Sequence, residues 1–259
     1  MIHIMKLKEQ YFNYIKYGTK TYEIRLNDEK RRNIKIGDFI EFQKEPLLEE
    51  KIIVKVDDLK YYNNFSELFD DIEIKYLADS KIKKEQLQKD LETFYPIEKQ
   101  KEYGVVAIKL NKNNIINYSN INNIETSEIF NTLRKEYNNF DTWLTKIKKD
   151  NANIFYTESN NKITSILLLK INEKDSQQFF EKGNILKIRT ILVNEKNKGI
   201  GTTYLKIIDD IAISNKIDYT YLTIKKSNKE LIDFIEKRLY KRYNQINDEY
   251  VFYKKIEEY

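Results

Sequence analysis

The stretch that most constrains what this chain can fold into is Ile185–Ala212, ILKIRTILVNEKNKGIGTTYLKIIDDIA. Its apolar and largely β-branched opening (Ile185, Ile188, Thr190, Ile191, Leu192 and Val193) predicts a buried strand. The run breaks at Asn194–Lys198 and turns through Gly199-Ile200-Gly201. From Thr202 the apolar spacing becomes helical, with Leu205, Ile208 and Ala212 on one face. A strand, a glycine turn and a helix start present free backbone N–H groups to a phosphate. Glycines permit positive φ and close backbone approach, and the helix N-terminus adds partial positive charge. Lys196 and Lys198 add full charges beside it. The spacing is neither that of a Walker A loop nor Gly-x-Gly-x-x-Gly, because Tyr204 stands three residues after Gly201. On the pattern alone, a plain strand-to-helix turn remains the competing reading.

Lys196-Asn197-Lys198-Gly199-Ile200-Gly201 resembles motif A of the GNAT acetyltransferases, Arg/Gln-x-x-Gly-x-Gly/Ala, with Lys196 in the place of Arg or Gln. The resemblance implies acetyl-CoA as acyl donor. The loop residues Lys196, Asn197, Lys198, Gly199, Ile200, Gly201 and Thr202 would hold its pyrophosphate, and the strand residues Ile191, Leu192 and Val193 would receive the pantetheine arm. Many members carry an acid tyrosine seven residues after an asparagine. Counted from Asn228, that position holds Ile235, so Tyr240, or failing it Tyr243, is the substitute. Glu195 in the loop, and Glu158 or Glu173 upstream, are the candidate bases.

A second signature lies near the start. Lys20–Leu26 alternates, so that Thr21, Glu23 and Arg25 share one face and Tyr22, Ile24 and Leu26 the other, with Lys20 at the strand entrance. Taken alone, this is either a polar site or a solvated ion-pair face. Gly18-Thr19-Lys20-Thr21-Tyr22-Glu23-Ile24-Arg25 resembles the Gly-x-Lys-x-x-Glu-x-Arg signature of the ASCH domain, a PUA-like small β-barrel. The resemblance implies a cleft for RNA or a nucleotide, with Lys20, Thr21, Glu23 and Arg25 as binding residues. Arg25 would hold a phosphate and Glu23 would accept from a base amine. Some relatives hydrolyse RNA or deacetylate modified cytidine, the latter with a threonine three residues after the lysine. Glu23 occupies that place here. Glu67 is a weaker candidate for a facing carboxylate.

These observations predict an α+β chain in two domains. Residues 1–110 form the ASCH/PUA-like barrel with flanking helices, and residues 124–259 a GNAT-type mixed α/β sheet. The Asn-rich stretch 111–123 reads as the linker. In the first part, Lys81–Glu102 reads as charged helix ending near Pro96, its charges a solvated face. In the second, Glu128–Lys149 reads as one or two helices with Trp143 in the core. Strands at Asn153–Glu158 and Lys162–Ile171 meet at an Asn160-Asn161 turn. A strand at Tyr219–Ile224, a helix at Lys229–Tyr240 and a last strand at Glu249–Lys255 complete the order.

Composition narrows the chemistry. The 259 residues include no cysteine and one histidine, His3, which excludes disulfides, thiolate metal sites and two-histidine centres. Acid–base work would fall to carboxylates, lysine, tyrosine, backbone or water. A net charge of +5 is too mild to prove a nucleic-acid partner. With no apolar run long enough to span a membrane and no leader pattern, a cytoplasmic protein is expected. The expectation is therefore an acetyl-CoA-dependent N-acetyltransferase whose ASCH domain recruits RNA or a nucleotide-bearing substrate. The alternatives are an ASCH-centred RNA or nucleoside hydrolase, and a non-catalytic RNA- or CoA-binding protein.

Overall fold

The computed structural model describes residues 1–79, 81–124, 128–172, 183–195 and 198–256. The chain divides into two compact units, Met1–Tyr118 and Ser119–Tyr259, so the division falls inside the Asn-rich stretch. That stretch is not a bare linker. Ile116 and Ile121 are fully buried, and Ile116–Asn120 is a strand whose first residues pair with Lys51–Ile53. The isoleucines between the asparagines supply the apolar contacts that a compositional reading overlooks.

In the first unit the elements run β1 (Ile2–Leu7), α1 (Glu9–Lys16), β2 (Tyr22–Leu26), α2 (Glu29–Arg32), β3 (Phe39–Lys44), β4 (Lys51–Tyr62), α3 (Phe65–Asp71), α4 (Lys84–Phe94), α5 (Ile97–Tyr103), β5 (Val105–Leu110) and β6 (Ile116–Asn120). The helix expected to end near Pro96 stops at Phe94, and Pro96 then pre-sets the turn into a second helix, α5. Strand β1 pairs parallel to β3, β3 antiparallel to β4, β4 antiparallel to β5, and β5 antiparallel to β2. The ladder ends in β1 at one edge and β2 at the other, and these do not pair. The expected PUA-like barrel is therefore open between these two edges, and charged side chains of β2 lie at the seam. Strand β5 has apolar residues on both faces. Val106, Ile108 and Leu110 pack inside against Met5, Phe12, Phe42 and Val54, while Val105 and Ala107 pack outside against Phe65, Leu68 and Leu87 of α3 and α4. A strand covered on both sides reads as an unbroken apolar run, as VVAI does.

The second unit runs α6 (Ile129–Glu136), α7 (Phe140–Lys149), β7 (Asn153–Ser159), β8 (Lys162–Ile171), β9 (Ile185–Val193), α8 (Ile200–Ser214), β10 (Tyr219–Lys225), α9 (Lys229–Glu236), β11 (Lys241–Ile246) and β12 (Glu249–Lys255). The sheet order is β7-β8-β9-β10-β12-β11, antiparallel except for β9 beside β10. Asn160 and Asn161 turn the β7–β8 hairpin with φ of 51° and 59°, the paired positive values a type I′ turn requires. Helices α6 and α7 cover β7 and β8 through Phe130, Phe140, Leu144 and Ile147, with Trp143 packed at the edge of that core. Helix α9 stops at Glu236, four residues short of expectation, and Leu239 takes a φ of 67°. Strand β11 was not legible in sequence: five of its six residues are exposed, so it carries no apolar alternation.

Candidate functional site

The cleft of the second unit forms where β9 and β10 part. Their parallel ladder holds only for Tyr219↔Ile185, Thr220↔Leu186 and Tyr221↔Lys187. Beyond it, β9 stays paired with β8 up to Val193, and β10 stays paired with β12 up to Lys225. Each strand is held by its outer neighbour while the inner ladder opens. The resulting cleft measures about 1030 Å³, and Ile191, Leu192 and Val193 of β9 line one wall.

The glycine turn closes the end of this cleft. Gly199 caps α8 in the left-handed region with φ of 74°, where a methyl group would meet nothing within 4 Å. Its requirement is therefore conformational. Thr203 N donates to Gly199 O at 2.9 Å, which starts the helix ladder and leaves the N–H groups of the first turn facing outward. Gly201 has the opposite reason for being glycine: a methyl there would lie 2.9 Å from Cζ of Phe234. Beyond Phe234 lies Arg238, its guanidinium 3.8 Å from the ring centroid, with Nη1 donating to Phe234 O at 3.0 Å and Nη2 to Thr202 Oγ1 at 3.1 Å.

Of the expected donor-site residues, Ile191, Leu192, Val193, Gly199, Ile200, Gly201 and Thr202 line the cleft together. Lys198 sits in the same turn and pairs with Glu195 at 2.8 Å. Lys196 and Asn197 lie outside the described residues, as does Glu173. Glu195 lines the cleft, and Glu136 of α6 and Glu230 of α9 join it. Glu158 is exposed on β7. Tyr240 is buried away from the cleft lining. Its hydroxyl accepts from Thr220 Oγ1 at 3.0 Å, and burial raises its pKa above the ordinary phenol value. Tyr243 stands exposed on β11. Thr132, Glu136, Lys225, Phe234 and Arg238 belong to the site without any local motif to announce them. Lys225 Nζ donates to Glu136 O, linking β10 to the end of α6.

The seam of the first unit holds the other constellation. Lys20 is 5% exposed and Glu23 1%, so the solvated-face reading fails. Lys20 Nζ donates to Leu77 O at 2.7 Å and lies 3.5 Å from Glu23 Oε2. Burial pushes the Lys20 ammonium below its usual pKa, against the upward pull of Glu23. The Arg25 guanidinium pairs with Glu23 Oε1 and donates to Ile24 O at 2.9 Å. It also crosses the open seam to Lys6 O of β1 at 3.3 Å. Arg25 thereby ties β2 to β1 by a side chain where backbone pairing is missing. Glu23 Oε2 is buried with no hydrogen-bond donor. These side chains line a pocket of about 170 Å³ walled by Tyr11, Leu91, Phe94 and Tyr95. Asp90 also lines it, so part of the segment read as a solvated charged face turns inward. Thr21 is spent on backbone pairing, its N–H to Tyr76 O at 2.8 Å, and is absent from the lining. Glu67 is committed to Asn63 and Asn64 at the start of α3, which holds its carboxyl below the usual range. Among the described residues, no group of acidic or histidine side chains could hold a metal ion, and no helix is long and apolar enough to cross a membrane.

Comparison with known proteins places the first unit. The family model described as the ASCH domain matches residues 5–114. The solved structure of hypothetical protein PH0355 is similar at 38% identity, covering 43% of this chain and 98% of that one, with a TM-score of 0.38. Protein PF0455 from Pyrococcus furiosus is similar at 35% identity, covering 43% of this chain and 96% of that one, with a TM-score of 0.36. Among neighbours of the C-terminal part is the PaiA N-acetyltransferase from Thermoplasma acidophilum in complex with coenzyme A. It shows 16% identity, 52% coverage of this chain, 83% of that one and a TM-score of 0.37. No curated protein matches the chain. Through residues 5–114, the chain belongs to the ASCH-domain family.

Proposed function

We propose that this protein is an acetyl-CoA-dependent N-acetyltransferase whose ASCH unit binds RNA or a nucleotide-bearing substrate. The carrying observation is the parting of β9 from β10 beside the Gly199 turn. An extended amide-bearing arm can lie along the opened edge of β9, as a strand would, while a diphosphate meets the first-turn N–H groups of α8. A bound acyl thioester supplies the acyl group. The chain's own part is to hold the donor in line with an amine, so that attack at the carbonyl carbon expels the thiolate. Glu136, Glu195 and Glu230 are the lining carboxylates available to take the amine's proton, Glu195 while paired with Lys198. Tyr240 has its hydroxyl buried against Thr220, which favours water as proton donor to the thiolate.

In the seam pocket, Glu23 Oε2 faces the Lys20 ammonium at 3.5 Å and accepts no closer hydrogen bond, which supports a ligand that brings an N–H donor, such as a base amine. Arg25 gives three of its five donors to Glu23 and two backbone carbonyls, so it is a weaker phosphate ligand than the motif suggests. Lys20 donates to Leu77 O, which favours binding over hydrolysis at this pocket.

The test is calorimetric titration with acetyl-CoA. Saturable binding in the intact protein, lost in Gly199→Val, is the expected outcome; no heat of binding in the intact protein would sink the reading.

A further inference from the structure

We infer that Arg238 binds the diphosphate of the donor, as a ligand residue outside the glycine turn; this rests on the acyl-donor reading of the cleft. Arg238 and Thr202 are 36 residues apart in sequence, yet the guanidinium bonds the hydroxyl of the residue that follows Gly201. That contact sets the cation beside the first turn of α8, whose outward N–H groups already carry partial positive charge. A cation in this place raises the electrostatic energy of the empty site and lowers it once an anion enters. The other described cation of the turn, Lys198, is neutralised by Glu195, whereas among the described residues Arg238 has no carboxylate within 4.0 Å.

Its geometry is fixed in advance. One face of the guanidinium lies on Phe234, and Nη1 is held by Phe234 O. Phe234 in turn rests against the helix at Gly201, where a larger residue would displace it. Of five N–H donors, two are used in these bonds, and the remainder belong to a planar fork suited to two phosphate oxygens. The side chain is half-buried and lines the cleft, so little rotamer freedom is lost when an anion arrives. Gly201, Phe234 and Arg238 thus form one stack: the glycine admits the ring, and the ring presents the cation.

The experiment compares the intact protein with Arg238→Gln and Arg238→Lys by calorimetric titration with acetyl-CoA and with its analogue lacking the ribose 3′-phosphate. Arg238→Gln is expected to weaken both ligands roughly ten-fold or more, with Arg238→Lys recovering part of the loss, since a lysine restores charge without the fork. Thr202→Val, which frees the guanidinium but keeps its charge, should weaken both to a smaller degree and guards against a folding defect at Arg238. Unchanged affinity in Arg238→Gln overturns the inference. So does a loss confined to acetyl-CoA, which would move the contact to the ribose phosphate. Should the intact protein bind neither compound, the acyl-donor reading itself fails. Inorganic pyrophosphate then judges Arg238 separately: binding lost in Arg238→Gln sustains it, and equal or absent binding overturns it.

Discussion

The ring of Phe234 stands where a side chain at position 201 would have to go, with Cζ only 2.9 Å from a methyl built there. Gly201 is small because of a neighbour in its own chain. Gly201→Ala should therefore displace Phe234 and cost about 1–3 kcal/mol as an overpacked contact. Urea denaturation checks this. The double variant Gly201→Ala/Phe234→Leu should recover part of the loss, because the shorter side chain vacates the space; strict additivity would refute the contact.

Gly199 should behave differently. With open space around it and φ of 74°, only backbone strain opposes a side chain. Gly199→Ala is expected to cost about 1–2 kcal/mol. Gly199→Asn should cost less, since asparagine tolerates this conformation. Equal melting temperatures for alanine and glycine would show that the turn does not need the left-handed residue.

In the seam, Glu23 is buried between two cations, Lys20 and Arg25, so that its removal leaves both without their carboxylate, whereas removal of Lys20 leaves Glu23 paired with Arg25. Glu23→Leu should cost about 3–5 kcal/mol, and Lys20→Met distinctly less, because Glu23 then keeps Arg25. The pH dependence has an unusual sign. Folding lowers the Lys20 pKa from 10.5, so the unfolded chain holds that proton more tightly. The group's destabilising contribution is fully present below its folded pKa and fades as pH rises through it toward 10.5. Denaturation of the intact protein and of Lys20→Met between neutral pH and 10.5 should show the intact protein gaining relative to the variant as pH rises. A constant difference would contradict it.

On the buried face of α8, Tyr204 is fully enclosed and its hydroxyl meets Ser165 Oγ at 2.7 Å, with Ser165 Oγ in turn 2.6 Å from Thr157 Oγ1. Ser165→Ala strands the Tyr204 hydroxyl and should cost about 1–3 kcal/mol. Tyr204→Phe leaves Ser165 with Thr157 and should cost about 1 kcal/mol. The double variant should cost less than the sum of the two, as expected for neighbours in one network.

The parts of this chain legible in sequence were those with a local signal. The β9–turn–α8 passage shows its period changing from buried strand to helix, and Asn160-Asn161 announces its hairpin. Strand β11 was invisible because Lys241–Ile246 is exposed, and its place comes entirely from pairing with β12. The open seam was also hidden, since closure depends on which strands meet and not on any one strand's pattern. In the sites, the glycines were legible but Phe234 and Arg238 were not. Their part depends on α9 lying against the start of α8, a distance of more than thirty residues along the chain. Glu23 and Arg25 were found by their motif, while their burial followed from α4 covering them.

Strand β4 offers a last consequence. Its 12 residues pair with β3 through Lys51–Lys55 and with β5 through Val56–Tyr62, with a bulge between Val56 and Asp58. One continuous strand therefore sets the alignment of two ladders. A slip by one residue would turn the apolar face outward in both at once, so neither half can misalign alone. The first unit should accordingly lose its structure as a single cooperative block, with the amides of β4 among the slowest to exchange with solvent.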